Sequence, residues 1–206
     1  MKESSDRKLL FTLGLAFVFW YLIFGVKLLN FWLSMAIAVP TLATFAWHWG
    51  GIRLQKSDST WHHLLLGIGS AALLYGIFWV GNSLSQLLFH FAKPEIASIY
   101  DIRNEGQALG IGFILFFITS PCEEFFWRAY VQGWATQRFG GWQGWLIGAA
   151  IYGSVHILSG NFMLTLAALI AGLFWGLLYW RTHSLFTCII SHACWTVAIF
   201  ILWPIL

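Results

Sequence analysis

Apolar runs separated by polar or charged breaks recur along the chain, and each is long enough to be read as a membrane-crossing helix. They fall at Leu9–Val26, Phe31–Trp47, Leu64–Phe91, Leu109–Phe139, Trp142–Leu158, Phe162–Trp180 and Ser184–Trp203. Two of them exceed what a bilayer requires. The run from Leu109 is either one tilted helix or two pieces, and Pro121 marks the natural break, because proline has no backbone N–H to donate. Trp20, Trp47, Trp61, Trp142 and Trp180 stand near predicted ends, where the headgroup region favours indole rings as anchors.

Composition turns these runs into a fold class. Of the 206 residues, 59% are hydrophobic and 9% charged, with a mean hydropathy of +0.74, outside the range of soluble globular domains. The chain reads as an all-α polytopic membrane protein with about seven to eight transmembrane helices in one bundle. Residues 1–206 form a single integral-membrane domain, with no room for a separate soluble one. Ala36-Ile37-Ala38 resembles a signal-peptidase site, but the apolar region before it is too long and carries Lys27 and Asn30, so the N-terminus is read as retained.

The formal charge is only +3, and the basic residues are scattered, which fits membrane orientation and excludes a nucleic-acid partner. With seven spans, Lys2, Arg7, Lys8, Arg53, Lys56, Arg138 and Arg181 fall on one side, and Lys27, Lys93 and Arg103 on the other. That bias places the N-terminus in the cytoplasm. The small size points to a bacterial cytoplasmic membrane. Cys122, Cys188 and Cys194 all lie in apolar segments without metal-type spacing, so they say nothing about redox compartment.

Charge inside a span is costly, roughly 2.5 to 3.5 kcal/mol at a helix centre, which singles out "SPCEEFFWRAYVQ", Ser120 to Gln132. Part of it has a structural explanation. Ser120, Pro121 and Glu123 have the pattern of a capping box that restarts a helix, and Glu124 with Arg128 forms an i,i+4 pair in the favourable order. Glu123, about 100° round the helix from Glu124, faces elsewhere. His156 and His192 lie deep in later apolar runs, whereas His48, His62, His63, His90 and His183 lie in connections or at segment edges. A buried histidine is often only packing, but a diglutamate with two such histidines supports water activation: a carboxylate base, a histidine sharing the water, and a second histidine donating to the oxyanion. No G-x-S-x-G or H-E-x-x-H motif is present.

The order "EEFFWR", "YGSVH", "SHACWT" resembles the CPBP family, the CAAX-processing type II prenyl endopeptidases and their bacterial Abi relatives. That family carries E-E-x-x-x-R, F-x-x-x-H and H-x-x-x-N on separate transmembrane helices. The first motif matches at Glu123, Glu124 and Arg128; the second has Tyr152 before His156; the third keeps His192 but has Thr196 in place of asparagine. The resemblance covers the second half of the chain, with the motif helices at approximately 109–206.

The resemblance implies an intramembrane glutamate-dependent endopeptidase that cuts near the C-terminus or within the membrane-embedded part of a protein or peptide substrate. In that scheme Glu123 and His156 activate water, Glu124 and Arg128 brace the first motif, and His192 stabilises the oxyanion. Thr196 leaves the second oxyanion donor open, because its hydroxyl is shorter than an amide and offers one donor. No cofactor is expected; zinc held by His156, His192 and a glutamate is the alternative. Membrane lipids and a membrane-anchored substrate are the expected partners. Other classes are a catalytically weak family member acting as a binding or immunity partner, and a transporter with a proton-relay carboxylate.

Overall fold

The computed structural model describes residues 2–50, 52 and 60–205, and among them the chain forms eight helices and no strand. α1 (Lys2–Trp20) ends in a π-helical segment, Tyr21–Val26; α2 is Phe31–Gly50 and α3 Trp61–Leu88. α4 (Ala92–Asp101) is short, and α5 is the long rod Ala108–Phe139. α6 (Gly141–Val155) passes into a 3-10 turn, His156–Ser159. α7 is Phe162–Thr182, and α8 (Leu185–Val197) ends in a π-helical segment, Ala198–Leu202.

Among the described residues, six helices are long and apolar enough to cross a membrane: α1, α2, α3, α5, α7 and α8. The expected span over Trp142–Leu158 is α6, whose α-helical part has only 15 residues. It is short because Gly160 takes a left-handed turn (φ +67°) and Asn161 caps the next helix, its side chain accepting from the Leu164 N–H. α4 lies where the sequence suggests only a polar break. The outside of the bundle is apolar, with Leu87 83% and Leu109 87% exposed. That inverts the pattern of a soluble protein and suits contact with lipid tails. The protein is an integral membrane protein.

Pro121 does not break α5. Thr119 and Ser120 keep right-handed helical torsions, and π-helical turns at Leu115–Thr119 and Phe125–Gln132 flank the α-helical Ser120–Glu124. The wider register re-aims the backbone around the missing N–H. The expected capping box at Ser120 therefore does not form. Its hydroxyl instead donates to the Leu115 carbonyl at 2.7 Å.

α6 packs on α5 because it has glycine where the helices meet. A Cβ on Gly144 would stand 2.5 Å from the Thr136 backbone, and one on Gly148 3.0 Å from the Gln132 Cβ. Such small residues let membrane helices approach closely. Tyr152 and His156 continue the same four-residue stripe, and the close approach carries Tyr152 onto α5.

At the opposite ends, Asp6 near the start of α1 meets the end of α5, accepting from Trp134 Nε1 at 2.8 Å and lying 3.8 Å from the Arg138 guanidinium. Arg7 and Lys8 thus share an end of the bundle with Arg138. Glu105 caps the start of α2, accepting from the Phe31 N–H at 2.7 Å, at the end that carries Lys27 and Arg103. Arg53 and Lys56, assigned to the first group, lie outside the described residues, as does the side chain of Lys2.

Candidate active site

The first motif sits mid-way along α5 and is almost entirely sealed. Glu124 and Arg128 are both 0% exposed, with Arg128 Nε donating to Glu124 Oε2 at 3.1 Å. This is the expected i,i+4 pair, enclosed by α7, α8 and Tyr152. The guanidinium lies over the Tyr152 ring, 4.8 Å from its centre, a favourable place for a cation. The other carboxylate oxygen of Glu124 accepts from His192 Nδ1 at 2.9 Å. A carboxylate paired with arginine can only accept, so Nδ1 carries the proton. The His192 imidazole also stacks on Trp175, centroids 3.8 Å apart and planes 21° apart. Glu124 therefore fixes two partners, one along its own helix and one on α8.

Glu123 has a different environment. Its Oε2 accepts from the Tyr152 hydroxyl at 3.1 Å, and Oε1 accepts from no protein group among the described residues. Glu123, His156 and Thr196 line one cavity of about 290 Å³ whose walls are otherwise almost wholly apolar. His192 is buried next to this cavity, on Glu124, but is not part of its lining.

His156 uses both ring nitrogens. Nδ1 lies 2.9 Å from the Tyr152 carbonyl, which fixes Nδ1 as the donor and leaves Nε2 as the acceptor. That acceptor receives the Trp20 indole N–H at 3.1 Å. The sequence suggests an interfacial anchor at Trp20, as at Trp47, Trp61 and Trp142, each of which is more than half exposed. Trp20 is instead fully buried, edge-on to both Trp127 and His156. The end of α1 runs on through a π-helical segment rather than reaching an interface, which holds the indole inside the bundle.

Thr196 lines the cavity, one turn along α8 from His192, but its hydroxyl donates to the His192 carbonyl at 2.8 Å. This is the usual back-bond of a threonine within a helix. Among the described residues, no group of three His, Cys, Asp or Glu side chains is arranged to hold a metal ion.

Two side chains that touch the site lie outside the expected set, the Tyr152 hydroxyl and Trp20. The first had a signal: tyrosine rather than phenylalanine one turn before His156 adds a donor beside a diglutamate. Nothing in the order of residues pairs Trp20 with His156.

The site is thus a buried diglutamate bonded to residues of two other apolar helices, at the edge of an apolar cavity. Residues 105–198 match the family described as Rce1-like, type II CAAX prenyl endopeptidase Rce1-like. That segment contains all three motifs, so the family resemblance read from them holds, and the match supports CAAX-protease-type endopeptidase activity on peptide or protein substrates in a lipid environment. No curated protein and no solved structure matches the chain.

Proposed function

We propose that this protein is a glutamate-dependent intramembrane endopeptidase in which Glu123 is the general base. The observation that carries this reading is the division of labour between adjacent carboxylates: Glu124 is committed to Arg128 and His192, whereas Glu123 keeps one oxygen free at the cavity wall. A carboxylate inside a membrane is costly to keep, and such groups mark functional sites. Glu123 lines the cavity, and the Tyr152 hydroxyl engages its other oxygen.

Hydrolysis would proceed in two stages. Glu123 Oε1 accepts a proton from water as the water oxygen bonds to the scissile carbonyl carbon, and the carbonyl electrons move onto oxygen. The C–N bond then breaks as the carbonyl re-forms, and the proton on Glu123 passes to the leaving amine. His156 shares the water once its bond from Trp20 opens, because its neutral ring has a single acceptor. His192, bonded through Nδ1 to Glu124, donates to the oxyanion through Nε2, which requires a proton on both ring nitrogens. The proposed substrate presents its scissile bond near the C-terminus or within a membrane-embedded segment, with apolar groups filling the cavity.

A second reading, a catalytically weak member that binds rather than cuts, draws on two observations: the Thr196 hydroxyl is engaged with its own helix, and Trp20 occupies His156 Nε2. One experiment separates the two. Purified protein in detergent is given an internally quenched farnesylated peptide ending in Cys-aliphatic-aliphatic-X, and wild type is compared with Glu123→Gln, which keeps shape but lacks the basic oxygen. Cleavage by wild type alone supports the glutamate base. Near-normal cleavage by a folded Glu123→Gln protein rules it out.

A further inference from the structure

The site lacks a committed second donor for an oxyanion, and α5 carries a hydroxyl with no partner at the matching level. Thr119 is 4% exposed and lines the same cavity as Glu123, His156 and Thr196, yet its Oγ1 has no hydrogen-bond partner among the described residues. A buried hydroxyl left in this state is uncommon and calls for an explanation.

The reason lies in the π-helical turn. A helical threonine normally donates to the carbonyl four residues back, here that of Leu115. In this register Leu115 O already accepts the Ser120 N–H and, at 2.7 Å, the Ser120 hydroxyl. Two donors fill the two lone pairs of a carbonyl. Thr119 is thereby denied its local acceptor. Thr196 and the other threonines in α2 and α7 show the usual outcome, each donating to the carbonyl four residues back.

Location gives the free hydroxyl a role. α8 packs against both Leu115–Thr119 and Ser120–Glu124 of α5, and the His192–Glu124 bond sets the level at which the two helices meet. They run antiparallel, so one turn back along α5 from Glu123 and one turn forward along α8 from His192 lead to the same level. These positions are Thr119 and Thr196.

We propose that Thr119 is a catalytic residue whose hydroxyl donates a hydrogen bond to the substrate's oxyanion, filling the role left open at Thr196. This rests on the glutamate-base reading above. As water adds to the scissile carbonyl, the oxygen gains the electron pair of the C=O bond and becomes a stronger acceptor. The hydroxyl donates without transferring its proton, and releases when the carbonyl re-forms and the C–N bond breaks.

The test uses the full-length protein in detergent and the same quenched farnesylated peptide, with thermal melting to confirm folding. Thr119→Val keeps shape and removes the hydroxyl. Its kcat is expected to fall about 10²-fold with KM little changed, in line with loss of one oxyanion donor. Thr119→Ser should retain most of the rate, and adding Thr196→Asn to Thr119→Val should restore part of it, because the amide supplies a donor from the facing helix. A wild-type kcat for folded Thr119→Val would overturn the proposal, as would a Thr119→Ser variant as slow as Thr119→Val, or a loss confined to KM. Glu123→Gln is assayed in parallel: activity there sinks the base mechanism, and its inactivity beside a normal Thr119→Val sinks only the role of Thr119. A wild-type protein that leaves the peptide uncut removes both.

Discussion

Replacing Arg128 with alanine should damage the fold before it damages the chemistry. Arg128 and Glu124 are both fully buried, so the substitution leaves a carboxylate in the bundle interior with only His192 bonded to it. Removing one partner of a buried ion pair costs about 3 to 5 kcal/mol, and loss of the cation over Tyr152 adds on the order of 1 kcal/mol. For a chain of this length each kcal/mol moves the melting temperature by about 2–4 °C, so the ion-pair loss alone should lower it by roughly 6–20 °C. The assay is thermal melting of detergent-purified protein for Arg128→Ala, Glu124→Gln and the double variant Glu124→Gln/Arg128→Met. If the penalty comes from an uncompensated charge, the double variant should melt closer to wild type than Arg128→Ala does. An Arg128→Ala protein that melts like wild type but has lost activity would refute the argument. It would place the free ends of the guanidinium, Nη1 and Nη2, which have no hydrogen-bond partner among the described residues, on the substrate.

Three further outcomes follow from the site geometry. Tyr152→Phe removes the donor to Glu123 Oε2 and should cost about 1.5 to 3 kcal/mol in stability if that carboxylate is ionised, while the ring still packs on Arg128; an unchanged melting temperature would show that the bond contributes nothing. Trp20→Phe keeps an aromatic ring beside His156 but frees Nε2, and should raise kcat by about 2- to 10-fold, the worth of one ordinary hydrogen bond; a fall in kcat would show that the indole N–H is needed to orient the imidazole. Cleavage should survive both a membrane-permeant chelator and a thiol-blocking reagent; loss with the chelator and recovery on adding zinc would move the site to the metal class.

What the order of residues determined is local. Long apolar runs dictate helices that face lipid, because a backbone without water must satisfy its own hydrogen bonds. The i,i+4 spacing of Glu124 and Arg128 makes them neighbours on any helix that contains them, and the two histidines stand out as ionisable groups where charge is costly. Such features need no knowledge of what lies opposite. The tertiary structure decided the rest. It sets Trp20 against His156, 136 positions away in the chain, gives Glu124 rather than Glu123 the bond to His192, and turns Tyr152 toward Glu123. It also carries α5 through Pro121 by changing helical register, along a stretch where α8 and α2 pack against it, which the proline alone does not dictate. Thr119 shows the limit most clearly. Its hydroxyl has no local acceptor only because a neighbouring serine took that carbonyl in a π-helical turn, and the competition between two hydroxyls for one carbonyl is settled by backbone register, which the surrounding helices impose.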